Sequence, residues 1–205
     1  MPIETCLFDM GNVLVYFSHE RMCQNVADAC NVSATATTDL LITSGLQFRL
    51  ERGEITENEF HQQVETKLDT KVEVGELMHA CADIFWLNES IVPLLDELKQ
   101  LEIRLVLLSN TSQNHLKFIQ SNFDVLKRFD DFTTSFDVGA LKPDAAIYED
   151  ALARAACPAE NCFYTDDIET YVTAAKQRGI HGYTYTDTVK TRSALRELGV
   201  DVSTT

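Results

Sequence analysis

Several features that mark particular classes of protein are missing from this sequence. It has no excess of basic residues, since 17 lysines and arginines stand against 32 aspartates and glutamates and the net charge is −15. A chain of that charge repels a phosphate backbone, which argues against nucleic acid as a partner. No apolar run approaches the roughly 20 residues that a membrane span needs, so we expect no membrane partner either.

Export signals and cysteine frameworks are also missing. The N-terminal Met-Pro-Ile-Glu-Thr has no basic region followed by an apolar segment, so no secretory signal is visible and we expect a cytoplasmic protein. The six cysteines show no Cys-x-x-Cys spacing and are scattered among helical and strand patterns. We therefore expect buried free thiols rather than disulfides or a metal site.

What the sequence does contain is a core of ordinary size. With 205 residues and 45% hydrophobic content it can form one main domain with a smaller insertion. Short apolar strands alternate with amphipathic helices from residue 90 onward, which predicts an α/β fold with a Rossmann-like, doubly wound and mainly parallel sheet. The predicted strands are 6–8, 105–108, 132–134, 162–165 and 181–185.

A helical insertion interrupts the fold after the first strand. In four segments the apolar residues recur every three or four positions, which indicates amphipathic helices at 20–30, 38–51, 57–68 and 75–85. Thr56 and Glu59 form the pattern of a capping box that opens the third of them. We therefore predict a core domain of residues 1–16 and 89–205 and a four-helix cap of residues 17–88.

Polar side chains follow three of the predicted strands. Asp9 ends the first strand, Ser109-Asn110-Thr111 follow the second, and Asp166-Asp167 follow the fourth, with Lys142 in a loop between the last two. Ligands bind at the carboxyl ends of parallel strands, so these groups are placed for chemistry. Clustered carboxylates need a cation, and hard oxygen ligands suit Mg²⁺. Taken alone, however, the first stretch is equally consistent with Asp9 capping a turn.

The order and spacing of these four motifs resembles the haloacid dehalogenase superfamily of hydrolases over essentially the whole chain. Asp9 matches the nucleophile of the first motif, Ser109 the hydroxyl residue of the second, Lys142 the third, and Asp166-Asp167 the fourth. The helical insertion is similar to the small C1-type cap of that family. The first motif, Asp-x-Gly-Asn-Val, resembles a branch of sugar-phosphate phosphatases.

The resemblance implies a Mg²⁺-dependent phosphatase that hydrolyses a small phosphorylated metabolite through an aspartyl-phosphate, and the form of the first motif suggests a sugar phosphate. Asp9 would be the nucleophile. Magnesium would be held by the Asp9 side chain, the Gly11 carbonyl and Asp167. Asp166 would act through a water molecule or as a partner that holds the metal ligands in place.

The same resemblance assigns roles to the remaining polar residues. Ser109 and Asn110 would hydrogen-bond the phosphoryl group, and Lys142 would offset negative charge on nucleophile and phosphate. Arg52 precedes Gly53, which ends one predicted helix of the cap, and we call this turn the glycine corner. The resemblance suggests that a loop there contacts substrate. An exposed helix end explains Arg52 nearly as well, and for His115 a surface or packing role is favoured.

Two positions depart from the pattern of the family. Phosphatases of the family usually carry a second aspartate two residues after the nucleophile, as proton donor and later as base, and this chain has Gly11 there. Either the leaving group is a good one, or water or a cap residue supplies the proton. Asparagine is common four residues after the second aspartate of the fourth motif, and this chain has Tyr171; loss of such a neighbour of the metal ligands costs about 10- to 100-fold in metal affinity or activity.

These departures leave two other functions open. One is a catalytically weak or inactive member that binds a phospho-ligand or a partner through the same cleft. The other is a 2-haloacid dehalogenase, which also uses an aspartate nucleophile, although the Asp166-Asp167 pair argues against it. The substrate itself and the oligomeric state are outside what the sequence determines.

Overall fold

The computed structural model describes residues 2–204 of the chain. Its centre is a five-stranded sheet of order β5-β4-β1-β6-β7 in which every pair of neighbours is parallel. The strands are β1 Thr5–Phe8, β4 Arg104–Ser109, β5 Asp131–Thr134, β6 Cys162–Asp166 and β7 His181–Thr184. This confirms the predicted α/β fold, and each of the five strands lies where the apolar pattern put it.

Helices cover both faces of the sheet. The core helices are α6 Val92–Gln100, α7 Gln113–Asn122, α8 Ser135–Val138, α9 Ala145–Ala155, α10 Glu169–Lys176 and α11 Thr188–Glu197. One hydrophobic cluster packs α6 and α11 against one face of the sheet, and a second packs α9 and α10 against the other. Because β1 lies in the middle of the sheet and is buried along its length, the residue that follows it is held at the centre of the molecule.

The helical insertion has a hydrophobic cluster of its own, which runs from Met22 to Ile84. Its helices are α1 His19–Cys30, α2 Ala34–Thr38, α3 Leu46–Glu51, α4 Glu57–Leu68 and α5 Val74–Ala82, with a π-helix at Asp39–Thr43. The capping box predicted for Thr56 and Glu59 is present. Among residues 2–204, no helix combines the length and apolar character needed to cross a membrane.

The insertion differs from its prediction in two respects. The helix expected over 38–51 is broken, because Gly45 has a left-handed backbone (φ 77°) and ends the π-helix before α3 begins. Two short strands were also unforeseen: β2 Val15–Phe17 and β3 Phe85–Leu87 pair antiparallel where the chain leaves and re-enters the core. Strands of three residues carry too little alternation to be recognised in sequence. All six cysteines are free, as predicted.

Candidate active site

The polar residues at the strand ends meet because their strands are neighbours. β1 lies between β4 and β6, and Phe8 is level with Leu107 on one side and Thr165 on the other. The residues that follow these positions are therefore brought to one edge of the sheet. A cavity of about 220 Å³ opens there and is lined by Asp9, Gly11, Ser109, Asn110, Lys142, Asp167 and Tyr171, among others.

Lys142 and two carboxylates form the buried centre of this site. The Lys142 ammonium lies 2.7 Å from Asp9 Oδ1 and 2.6 Å from Asp166 Oδ2, and it donates a hydrogen bond of 3.1 Å to the Leu108 carbonyl. Burial alone would lower the pKa of Lys142, but the two carboxylates outweigh that effect and raise it. Lys142 is therefore a permanent cation. Burial raises the pKa of Asp9, and the Lys142 ammonium opposes that rise.

The two aspartates after β6 have different surroundings. Asp166 is fully buried and accepts hydrogen bonds from Lys142, the Tyr164 hydroxyl and the Ile168 amide. Both of its oxygens are thus engaged by donors, and it holds Lys142 in place. Asp167 lines the cavity and accepts a hydrogen bond of 2.9 Å from Asn12 Nδ2.

The donor set suits a divalent cation. Asp9, Asp166 and Asp167 each offer a carboxylate oxygen, and these atoms lie within 4.8 Å of one another. Three carboxylates face one ammonium, so a further positive charge is favourable, and hard oxygen ligands match Mg²⁺. Since Asp166 already serves three donors, Asp9 and Asp167 are the side chains best able to hold the ion. Gly11 lines the same cavity, as the prediction for its carbonyl requires.

Asn110 and Ser109 hold different positions in the site. The Asn110 side chain accepts a hydrogen bond of 2.7 Å from the Lys142 amide and donates one of 3.3 Å to the Lys142 carbonyl. Asn110 therefore fixes the loop that presents the lysine, in addition to lining the cavity. Ser109 is buried at the end of β4 and also lines the cavity. The Tyr171 ring, which replaces the usual asparagine, lies 5.2 Å from the Lys142 ammonium.

The position of the missing aspartate is blocked by an aromatic ring. A Cβ atom built on Gly11 would lie 2.9 Å from Cε1 of Phe17, closer than real carbon contacts allow. Phe17 belongs to β2, the strand that sequence reasoning did not foresee. Between them, Asn12 adopts a left-handed backbone (φ 56°), which asparagine tolerates, and the chain turns back sharply into β2.

Arg52 is not brought together with the other predicted site residues. Its guanidinium pairs with Glu54 at 3.0 Å, its side chain is 44% exposed, and it does not line the cavity in the described structure. Its neighbour Glu51 does line the cavity and is buried. The glycine corner was thus the right region of the cap, but α3 directs the glutamate inward and the arginine outward.

Three residues of the cavity wall carry titratable groups that sequence reasoning missed or placed elsewhere. Burial raises the pKa of Glu51 to about 7, opposed by a hydrogen bond of 3.0 Å from Gln47 Nε2. Burial lowers the pKa of His19, and lowers that of His115 to about 4, so both rings are neutral at pH 7. His115 packs in the interior and donates to the Cys81 carbonyl at 3.1 Å. No sequence pattern around His19 indicates that the first residue of α1 faces the cavity at the edge of the sheet.

Ser135 ties the cap to the core beside the site. Its hydroxyl lies 2.5 Å from the Glu51 carbonyl and 3.0 Å from the Thr111 carbonyl, and it accepts a hydrogen bond of 2.9 Å from the Thr111 amide. Thr111 follows β4 and lines the cavity. The inner end of α3 is therefore anchored directly to the loop that carries Ser109 and Asn110.

Solved structures with the same fold come from several bacteria. A HAD family enzyme from Bacteroides thetaiotaomicron is 26% identical, with a TM-score of 0.78 over 91% of this chain and 94% of that one. The same enzyme has been solved in complex with magnesium and inorganic phosphate, at 24% identity and a TM-score of 0.77 over 90% and 93%. A predicted HAD-like family hydrolase from Porphyromonas gingivalis has a TM-score of 0.80 at 23% identity, over 98% of this chain and all of that one.

A sequence model of a hydrolase family matches most of the chain. The match covers residues 3–179 and the model describes haloacid dehalogenase-like hydrolases. These residues include all four polar segments that the sheet brings together at its edge. Together with the parallel sheet and its catalytic cluster, this match shows that the chain belongs to the haloacid dehalogenase-like hydrolase family.

Proposed function

We propose that this hydrolase is a Mg²⁺-dependent phosphatase of a small phosphorylated metabolite and acts through an aspartyl-phosphate. One observation carries the proposal. The Asp9 carboxylate lines the cavity beside the buried Lys142 ammonium, and it belongs to a cluster of three carboxylates whose mutual repulsion favours a bound cation. That arrangement presents a nucleophile to a phosphoryl group and offsets the negative charge of both.

The reaction is derived from the residues of this chain in two steps. An Asp9 oxygen forms a bond to phosphorus as the bond from phosphorus to the leaving oxygen breaks, and the electron pair leaves with that oxygen. Water then attacks phosphorus, the bond to Asp9 breaks, and inorganic phosphate and free Asp9 are regenerated. Lys142 would stabilise the Asp9 carboxylate before the first step and again when the second step regenerates it, and Ser109 would donate a hydrogen bond to a phosphoryl oxygen.

The proposed cofactor is supported by the donor set and by a structural relative. Asp9, Asp167 and the Gly11 carbonyl would hold Mg²⁺, with Asp166 behind them, and the ion would neutralise charge on the transferring phosphoryl group. The enzyme from Bacteroides thetaiotaomicron that shares this fold has been solved with magnesium and inorganic phosphate. Phosphate is the product that the proposed reaction releases.

The test is phosphate release from a panel of phosphorylated metabolites, with excess Mg²⁺ added or with EDTA. The panel includes sugar phosphates, the substrates that the first motif suggests. We expect Mg²⁺-dependent release from at least one member, abolished in Asp9→Asn and retained in the control Asp201→Asn, which changes an exposed aspartate near the C-terminus. Full activity of Asp9→Asn, or no release from any member, would overturn the proposal.

A further inference from the structure

The wall of the cavity beside the nucleophile is apolar. The Phe17 ring occupies the space next to Gly11, 2.9 Å from where a Cβ atom at that position would lie, so an aromatic ring stands where phosphatases of the family usually carry an acidic side chain. More of the wall is built from large apolar side chains that come from both the cap and the core. These are Phe17, Phe48, Ile84, Phe85, Leu141 and Ile168.

Two of these side chains are exposed to an unusual degree. Phe48 on α3 is 44% exposed and Ile168 after β6 is 42% exposed, and they line the same cavity from the cap and from the core. Exposed apolar surface at the mouth of a cavity marks a place where a ligand buries its own apolar surface. These two side chains therefore favour a leaving group with apolar surface over one rich in hydroxyls.

The charges of the wall exclude a second anionic group on the substrate. Among the described residues that line the cavity, Lys142 is the only lysine or arginine, and Asp9 and Asp166 already engage it. The cap contributes the Glu51 carboxyl, which supplies no positive charge and repels a nearby anion when it is ionised. The arginines that could have met a carboxylate or a second phosphate are turned outward, since Arg49 and Arg52 both pair with Glu54.

We propose that the substrate of this site is an aryl phosphomonoester, with a single uncharged aromatic ring as its leaving group. The inference rests on the proposed phosphatase activity and names the substrate class for it. The volume fits, because a dry cavity of about 150 Å³ holds benzene and this cavity of about 220 Å³ must hold a ring and a phosphoryl group.

The chemistry of an aryl leaving group also matches the blocked proton donor. As the bond from Asp9 to phosphorus forms, the bond from phosphorus to the aryl oxygen breaks and the electron pair leaves on a phenolate. A phenol has a pKa of about 10, as in tyrosine, so the phenolate departs without a side-chain acid and takes its proton from water. Water then cleaves the aspartyl-phosphate, and the products are a phenol and inorganic phosphate.

The test compares kcat/KM for matched substrates in the presence of Mg²⁺. Phenyl phosphate is the probe, 4-carboxyphenyl phosphate adds a negative charge, cyclohexyl phosphate keeps the apolar shape with an alkyl leaving group, and glucose 6-phosphate represents sugars. We expect kcat/KM for phenyl phosphate to exceed that for each of the other three substrates at least about tenfold. A buried carboxylate or unpaired hydroxyls cost that much, and the alkyl oxygen of cyclohexyl phosphate is a poorer leaving group than a phenolate.

The outcomes separate the substrate class from the activity itself. Hydrolysis in which glucose 6-phosphate or 4-carboxyphenyl phosphate equals or exceeds phenyl phosphate overturns the aryl assignment and leaves the phosphatase standing. Equal rates for cyclohexyl and phenyl phosphate overturn the leaving-group argument. A lack of Mg²⁺-dependent hydrolysis in every arm overturns both proposals.

A pair of surface variants tests the wall directly. Phe48→Ser removes an exposed ring from the cavity, and we expect it to lower kcat/KM for phenyl phosphate about five- to tenfold, mainly through KM, and to lower kcat/KM for glucose 6-phosphate by a smaller factor. Val189→Ser removes a large apolar side chain that is 59% exposed on α11, away from the cavity, and is the control. An equal fall for both substrates in Phe48→Ser would contradict the proposed contact with the ring.

Discussion

Lys142 and Asp9 form a buried ion pair at 2.7 Å, and the same ammonium reaches Asp166 at 2.6 Å. Both ends of this arrangement are set by the sheet, because Asp9 follows β1 and Asp166 ends β6, its neighbour. Asp9, the proposed nucleophile, is thus held by a cation whose own position is fixed by a second carboxylate. This relationship makes the site sensitive to the loss of any one of the three charges.

We expect Lys142→Met to lose phosphatase activity and to lower the free energy of unfolding. Removing one partner of a buried ion pair leaves an uncompensated charge, which costs about 3–5 kcal/mol, and here two carboxylates lose their cation. The measurement is urea unfolding at pH 8 in EDTA, so that no added metal compensates. Lys117→Met, at an exposed position of α7, is the control and should unfold as wild type does. A Lys142→Met protein with wild-type stability and activity would disprove the role assigned to the lysine.

Restoring an aspartate at position 11 requires removal of the ring that blocks it. We expect the double variant Gly11→Asp with Phe17→Ala to raise the rate for cyclohexyl phosphate relative to phenyl phosphate, since a positioned general acid contributes about 10²-fold or more for a poor leaving group. Phe17→Ala alone is the control, because it opens the space without supplying an acid. The idea fails if both variants give the same ratio of the two rates.

Asn12 holds Asp167, a proposed ligand of Mg²⁺, and loss of the Asn12 side chain should weaken the binding of magnesium. Asn12→Gly removes the hydrogen bond of 2.9 Å and keeps the left-handed backbone, which glycine adopts freely. We expect the Mg²⁺ concentration for half-maximal activity to rise about 10- to 100-fold. Asn31→Gly makes the same change at another left-handed asparagine (φ 54°), at the end of α1, and should leave it unaltered. Calorimetric titration of Mg²⁺ without substrate checks the result independently of turnover.

Glu51 should make the protein less stable as the pH rises. Its folded pKa of about 7 lies above the ordinary value of about 4.3, so the folded state binds more protons between those values and stability falls as pH increases through that window. We expect Glu51→Gln to match wild type at pH 4 and to exceed it by on the order of 3 kcal/mol at pH 8. Urea unfolding at the two pH values measures this, with Glu149→Gln on the exposed face of α9 as the control. A constant difference between the two proteins would show that burial does not perturb Glu51.

The sequence alone determined the residues at the centre of the site. A short apolar run followed by a polar residue predicts a buried strand and its end, and the carboxyl ends of parallel strands must share one edge. Asp9, Ser109, Lys142 and Asp167 could therefore be assigned to one cavity before any coordinates were known. The capping box of α4 was predictable for a similar reason, since it depends on residues close in sequence.

Only the tertiary structure decided which cap residues face that cavity. Glu51 and Arg52 are adjacent in sequence, and the one turns inward while the other pairs with Glu54 at the surface, because α3 is anchored by Ser135, 84 residues further along the chain. The blocking of Gly11 by Phe17 likewise depends on the pairing of β2 with β3, strands almost 70 residues apart. Such contacts are fixed by packing between segments that are distant in sequence, and the local residue pattern does not predict them. The residues proposed to carry the chemistry could thus be named from the sequence, and the shape of the cavity around them could not.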